Sequence, residues 1–242
     1  MNKPILYQNS NGLQRSDAQE VLNEFSAGFG CDLSAEMVNY ARNKHSQPKM
    51  SFEQFDLSID RELQSTMKGM DFDHITSFYC LMWIHDQQIA ARNLYKLLKP
   101  GGDMLVVFLA QHPMYDYYKK QSFDDRWSEY MDDADEYISP YQYSNDPAAD
   151  FRNHLTDAGF RECRVEAREK CYVFNGVEIA RNILRSVNPF IDRIPIQNQE
   201  TYLEDLLQNF VQNHVVRDDF YGNSELCRIA PPYKLMVAYA RK

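Results

Sequence analysis

Several features that would assign this chain to a broad class are missing from its sequence. No window approaches the ~18 consecutive apolar residues of a membrane span. No lysine- or arginine-rich run occurs, and 26 Lys+Arg against 35 Asp+Glu leave a formal charge of −9. That balance argues against nucleic acid or an anionic membrane as a partner held by a basic field. The five cysteines (Cys31, Cys80, Cys163, Cys171 and Cys227) are odd in number and show no CxxC spacing. Neither a disulfide framework nor a metal site is therefore expected. Reduced thiols suit a cytoplasmic protein, and the opening MNKPILYQNSNGLQ lacks the apolar run of a signal peptide.

What is present suits a folded core. The 242 residues are 44% hydrophobic and include 16 Tyr and 14 Phe, enough for one sizeable domain or one domain with a cap. Asp17–Phe25 and Ser34–His45 have helical spacing, the second with Ser34 as N-cap. Met50–Phe55 alternates as a strand does, and Asp73–Tyr79 reads as a buried strand. Gln87–Lys99 is a helix closed by Pro100-Gly101-Gly102, and Met104–Leu109 is an apolar strand. Helix, LKPGG turn and strand make a crossover into a parallel sheet, so the expected class is α/β. Beyond it, Ala148–Ala158 predicts a helix ending at Gly159, Cys163–Phe174 a long strand, Gly176–Asn213 a helical segment and Tyr233–Ala240 a terminal strand. The expected division is 1–25, an N-terminal helical segment; 26–110, the core; 111–147, a cap insertion; and 148–242, the rest of the core with a helical cap segment.

LKPGG on such a strand–helix–strand pattern resembles methyltransferases that use S-adenosylmethionine. Longer blocks narrow the resemblance: LYQNSNGLQRSDA (6–18), CDLSAEMVNYA (31–41), DHITSFYCLMW (73–83), LLKPGGDMLVVFLA (97–110), ISPYQYS (138–144) and PPYKLMVAYARK (231–242). Together they are similar to the juvenile hormone acid methyltransferases, along nearly the whole chain. The resemblance implies a Rossmann-like class I methyltransferase sheet, truncated at its N-terminal βα unit and bearing a helical cap. It also implies S-adenosylmethionine as cofactor and a small hydrophobic carboxylic acid, juvenile hormone acid or farnesoic acid, as substrate.

Matching positions give the residue roles that the resemblance implies. Asp32, with Leu33 beside it, corresponds to the acid that holds the ribose hydroxyls. Asp56, with Leu57, corresponds to the acid facing the adenine. Ser77 and Phe78 end the fourth strand at the sheet's carboxyl edge, where such folds bind ligands. Gln14 and Trp83 match the pair that grips the substrate carboxylate. The residue types suit the chemistry. A carboxylic acid with a pKa of about 4 is ionised at neutral pH and needs no general base. It needs placement in line with the methyl donor and loss of its water. The amide of Gln14 and the indole of Trp83 are neutral donors that can orient it. Taken singly, an Asp at a strand end is commonly a turn or cap, Trp83 is more often core, and Gln14 says almost nothing. His85 and His112 have no partner spacing for acid–base or metal roles and read as ordinary.

One stretch departs from the pattern. Counting strands back from LKPGG, the second must end just before Asp32. Before it belong a first strand, a glycine-rich loop and a helix, and such a βαβ unit takes about 30 residues. EFSAGFGCD (24–32) leaves room for only a few. A rival reading makes Gly28-Phe29-Gly30 the glycine turn itself, with Asp56 as the ribose acid. It lacks a preceding strand, so the segment is read as a junction and the cofactor loop as absent. Two further readings follow: a catalytically silent variant that binds a hydrophobic acid or a partner, and a methyltransferase for another small molecule.

Overall fold

Local rules set the first crossover. The Ser34 hydroxyl accepts the Met37 amide at 3.3 Å and starts helix α1, Ala35–His45. Strand β1, Phe29–Asp32, precedes it and β2, Ser51–Gln54, follows it. The two strands are parallel, with Gly30 opposite Phe52 and Asp32 opposite Gln54. Arg42 of α1 clasps β2, donating to the Phe52 carbonyl and the Glu53 carboxylate at 2.7 Å each. Gly30 therefore belongs to a strand, not to a turn. A Cβ on it would meet Phe52 Cδ1 at 2.5 Å, so the glycine makes room for the ring lying over it. The computed structural model describes residues 5, 12–14, 29–45, 51–59, 69–216 and 227–242. The expected helix at 17–25 and Gly28 lie outside them.

A second crossover joins β3, Phe72–Phe78, through helix α2, Gln87–Leu97, to β4, Leu98–Gln111. Asp86 caps α2 by accepting the Ile89 amide at 2.8 Å, and Ala90, Ala91, Leu94 and Leu97 bury one face. The helix ends two residues earlier than the sequence suggests, and LKPGG lies within the strand. Gly101 has φ +82°, and the register slips between Phe72 and His74, so the turn is a bulge. Lys242 closes the helix end, its Nζ donating to the Tyr95 carbonyl at 2.8 Å and the Leu98 carbonyl at 2.6 Å.

The rest of the core is antiparallel. Strand β5, Arg164–Cys171, pairs with β9, Pro232–Arg241, which also pairs with β4, giving the order β3-β4-β9-β5. The long strand expected to reach Phe174 stops at Cys171. Phe174–Asn175 is a separate strand, β6, in a small sheet with β7, Val215–Val216, and β8, Arg228–Ile229, ordered β6-β8-β7. Helix α3, Pro113–Gln121, and two short 3₁₀ segments, Ser128–Tyr130 and Ala134–Tyr137, follow β4. Helix α4, Pro147–Ala158, ends at Gly159 with φ +108°. Helices α5, Val177–Val187, and α6, Gln199–His214, complete the helical face. Residues 111–147 share one core with the sheet: Tyr115, Tyr118, Trp127 and Tyr141 are buried in the cluster that holds Phe108 and Val106. Among the described residues, no helix is long and apolar enough to cross a membrane.

Among the described residues, β1 pairs only with β2, and β3 only with β4. Among these residues the sheet is thus broken between β1 and β3. In consequence β3 is not the buried strand expected from its sequence. None of its residues is fully buried, and Asp73, His74 and Thr76 are exposed. An edge strand has one neighbour fewer to cover it.

Candidate active site

Asp32 ends β1, and its Oδ1 accepts the Ser34 amide at 2.7 Å. That bond turns the chain out of the strand and leaves the carboxylate at the sheet's carboxyl edge. Leu33 is 62% exposed, and its carbonyl accepts the Gln54 side-chain amide at 2.8 Å. The next strand repeats the device. Asp56, two residues past β2, accepts the Ser58 amide at 2.8 Å and the Ser58 hydroxyl at 2.6 Å. The Phe55 amide donates to the Asp32 carbonyl at 3.1 Å, so the two acids leave adjacent strand ends together. Leu57 packs against the core, while its carbonyl takes a bond from buried Asn93 of α2 at 2.9 Å.

Across the break, β3 ends in Ser77 and Phe78, both half-buried. Tyr79 follows with φ 54°, a left-handed conformation rare for a tyrosine. It is buried, and its amide donates to the Val107 carbonyl at 2.8 Å. This strained residue redirects the chain into the 3₁₀ turn Leu81–Trp83. Buried Gln87 fixes that turn, donating to the Leu81 carbonyl at 2.7 Å and the Ile84 carbonyl at 2.6 Å. Trp83 lies edge-on to Tyr115 and Tyr137, with centroids 6.4 and 6.5 Å away. Its indole nitrogen is buried and has no hydrogen-bond partner, as is Oε1 of Gln14. Leu13, next to Gln14, sits in the core against which Trp83 packs.

The two halves of the site meet at the cysteines. Cys80 follows Tyr79, and its thiol is pushed up to about 12, first by the protein packed around it, then by Cys31 and the carboxylates of Asp32 and Asp56. Cys31, on β1, is pushed up to about 11 by surrounding protein and by Asp32. Both thiols stay protonated at neutral pH. Asp32 and Asp56 thus lie near Cys80, which follows the β3 end that carries Ser77 and Phe78, and Trp83 packs against Tyr115 and Tyr137. Among the described residues no hydrogen bond reaches Gln14 Oε1 or Trp83 Nε1, both of them buried.

The whole chain aligns with the juvenile hormone acid O-methyltransferase of Drosophila melanogaster at 34% identity, covering 93% of that protein. The chain belongs to the juvenile hormone acid O-methyltransferase family. The Bombyx mori protein of the same name is 31% identical, with 100% of this chain and 98% of that protein covered. Residues 16–104 match the model of a methyltransferase domain. A solved structure of a putative methyltransferase from Bacillus halodurans superposes with TM-score 0.51 at 16% identity, covering 98% of this chain and 97% of its own. That likeness confirms the Rossmann-like class I methyltransferase fold. The alignment to the Drosophila protein spans 281 positions against the 242 residues here, so 39 positions have no counterpart in this chain.

Sequence reasoning reached the family but passed over Tyr79, Gln87 and Asn93. A left-handed tyrosine has no sequence signature. The other two had one: Gln87 and Asn93 are polar residues set among Ala90, Leu94 and Leu97 on the buried side of α2, where an unpaired amide is costly.

Proposed function

We propose that this family member is built for carboxyl O-methyl transfer to a hydrophobic isoprenoid acid, such as farnesoic acid or juvenile hormone acid, with S-adenosylmethionine as donor. The observation that carries this reading is the buried, unpartnered indole N–H of Trp83 among aromatic rings. A donor held there without an acceptor suits an acid's carboxylate. Asp32 and Asp56 would hold the cofactor's ribose and adenine from adjacent strand ends. When bound, the cofactor supplies an electrophilic methyl group. Trp83 and Gln14 would fix the carboxylate's direction, and the cap's aromatic residues would exclude its water. No side chain needs to remove a proton, because the acid arrives ionised.

A second reading is favoured by the break between β1 and β3: an acid-binding variant that does not methylate. The acids of the cofactor site fit its hydroxyl groups. The strand and glycine-rich loop that would bring backbone close to the methionine end have no room in the 14 residues between Gln14 and Phe29. Calorimetric titration of the purified chain with S-adenosylmethionine, and separately with farnesoic acid, tests both. Micromolar binding of both ligands supports methyl transfer. Acid binding without cofactor binding supports the silent variant. A folded sample that binds neither refutes the acid site.

A further inference from the structure

Five side-chain polar atoms among the described residues are buried without a hydrogen-bond partner: Gln14 Oε1, Trp83 Nε1, Tyr115 OH, Tyr118 OH and Gln121 Oε1. Native chains keep few such atoms, and each asks for an occupant or a reason. Two of the five sit on neighbouring rings. The Trp83 and Tyr115 rings meet edge to face at 83°, with centroids 6.4 Å apart. Tyr115 is 0% exposed. The adjacent His112 ring already uses Nδ1 to accept the Met114 amide at 3.1 Å.

The chemistry of the two atoms says what is missing between them. An indole N–H can only donate. Burial pushes the Tyr115 hydroxyl far above its ordinary range, so it keeps its proton and is available as a donor at any working pH. Two donors on neighbouring rings, neither bonded to an acceptor, suit a ligand that brings acceptors, and a carboxylate brings two oxygens. A hydrocarbon tail would leave both donors unsatisfied.

We infer that Tyr115 is a third carboxylate-binding residue, its hydroxyl donating to one oxygen of the substrate acid while Trp83 donates to the other. This rests on the reading that the acid enters beneath the cap. Tyr115 orients the acid and transfers no proton. The geometry also gives a preference: an ionised acid takes charge-assisted bonds from both donors, whereas its neutral methyl ester takes weaker ones. Tyr115 thereby favours acid over ester and helps the product leave.

The test is calorimetric titration of the full chain with farnesoic acid and with its methyl ester, for wild type, Tyr115→Phe and Tyr118→Phe. Tyr118 is the control: its ring packs edge-on against Phe190, whereas the rings against Trp83 are those of Tyr115 and Tyr137. Tyr115→Phe is expected to weaken acid binding roughly tenfold, the worth of one bond to a charged group. Ester binding should change little, and the melting temperature should hold or rise, since no protein bond is lost. Tyr118→Phe should bind the acid as wild type does. Unchanged acid affinity in Tyr115→Phe, or equal losses for acid and ester, overturns the inference while leaving the acid site intact. A folded wild type that binds no acid overturns this inference and the functional reading together.

Discussion

Gly30 and Phe52 face each other across the parallel pair β1 and β2, and the ring occupies the space a side chain on the glycine would need. Gly30→Ala should therefore cost about 1–3 kcal/mol through overpacking. Phe52→Ala removes the ring that causes the clash, so the double variant should be more stable than the sum of the single losses predicts. Urea denaturation of the four proteins measures this. Strict additivity would mean that Phe52 is not what requires glycine at position 30.

Asn93 is the next point of leverage. Its amide donates to the Leu57 carbonyl at 2.9 Å and the Ile59 carbonyl at 2.7 Å, fastening the loop after Asp56 to α2. Asn93→Leu keeps the volume but strips both carbonyls of this donor, at a cost of about 1–3 kcal/mol. Hydrogen exchange should speed up in residues 56–59 more than in β4. Uniform acceleration across the chain would show that the residue supports the fold at large instead of that loop.

Much of this arrangement is legible in the sequence, and the reasons differ from element to element. Ser34 announces its helix because a cap is a local bond between residues three apart; Asp86 caps its helix in the same way but was passed over. The strand before Asp32 was placed by counting from LKPGG. The position of LKPGG itself was misread, because a bulge that keeps pairing with its neighbour looks like a turn when only the residues are seen. The exposure of β3 escaped as well. Its apolar residues suit a central strand, and only the missing pairing on one side decides otherwise. At the site, the acids and Trp83 were reached by resemblance. Gln87 and Tyr79, which aim the tryptophan, depend on contacts between residues and on backbone strain that no local pattern records.

Trp83→Phe isolates the donor from the ring. Nothing within the described protein bonds to the indole nitrogen, so the melting temperature should stay close to wild type. Farnesoic acid affinity should fall roughly tenfold, the worth of one hydrogen bond to a charged acceptor. Calorimetry gives the affinity and a thermal melt gives the stability. Retained affinity would show that Trp83 does not bind the acid.

Acid should weaken the fold through His112. This residue is buried at the start of α3, its ring stacked on Phe210 and tilted against Tyr233, with Tyr115 edge-on. Burial, and then the nearby His214, lower its pKa from 6.5 to about 3. The local bonding agrees, because Nδ1 accepts the Met114 amide and protonating it would set donor against donor. The native state therefore stays neutral at His112 while the unfolded chain takes up a proton below pH 6.5. More protons bound in the unfolded state means stability that rises with pH. It is fully present above about 6.5 and is lost progressively toward 3, by about 2 kcal/mol at pH 5 from this group. His214, also lowered by burial, acts in the same direction. His112→Asn keeps a capping acceptor without a titrating ring, so its denaturation midpoint should fall less between pH 7 and 5 than that of wild type. Equal slopes in the two proteins would show that the imidazole is already protonated, or that it is solvated in the native state.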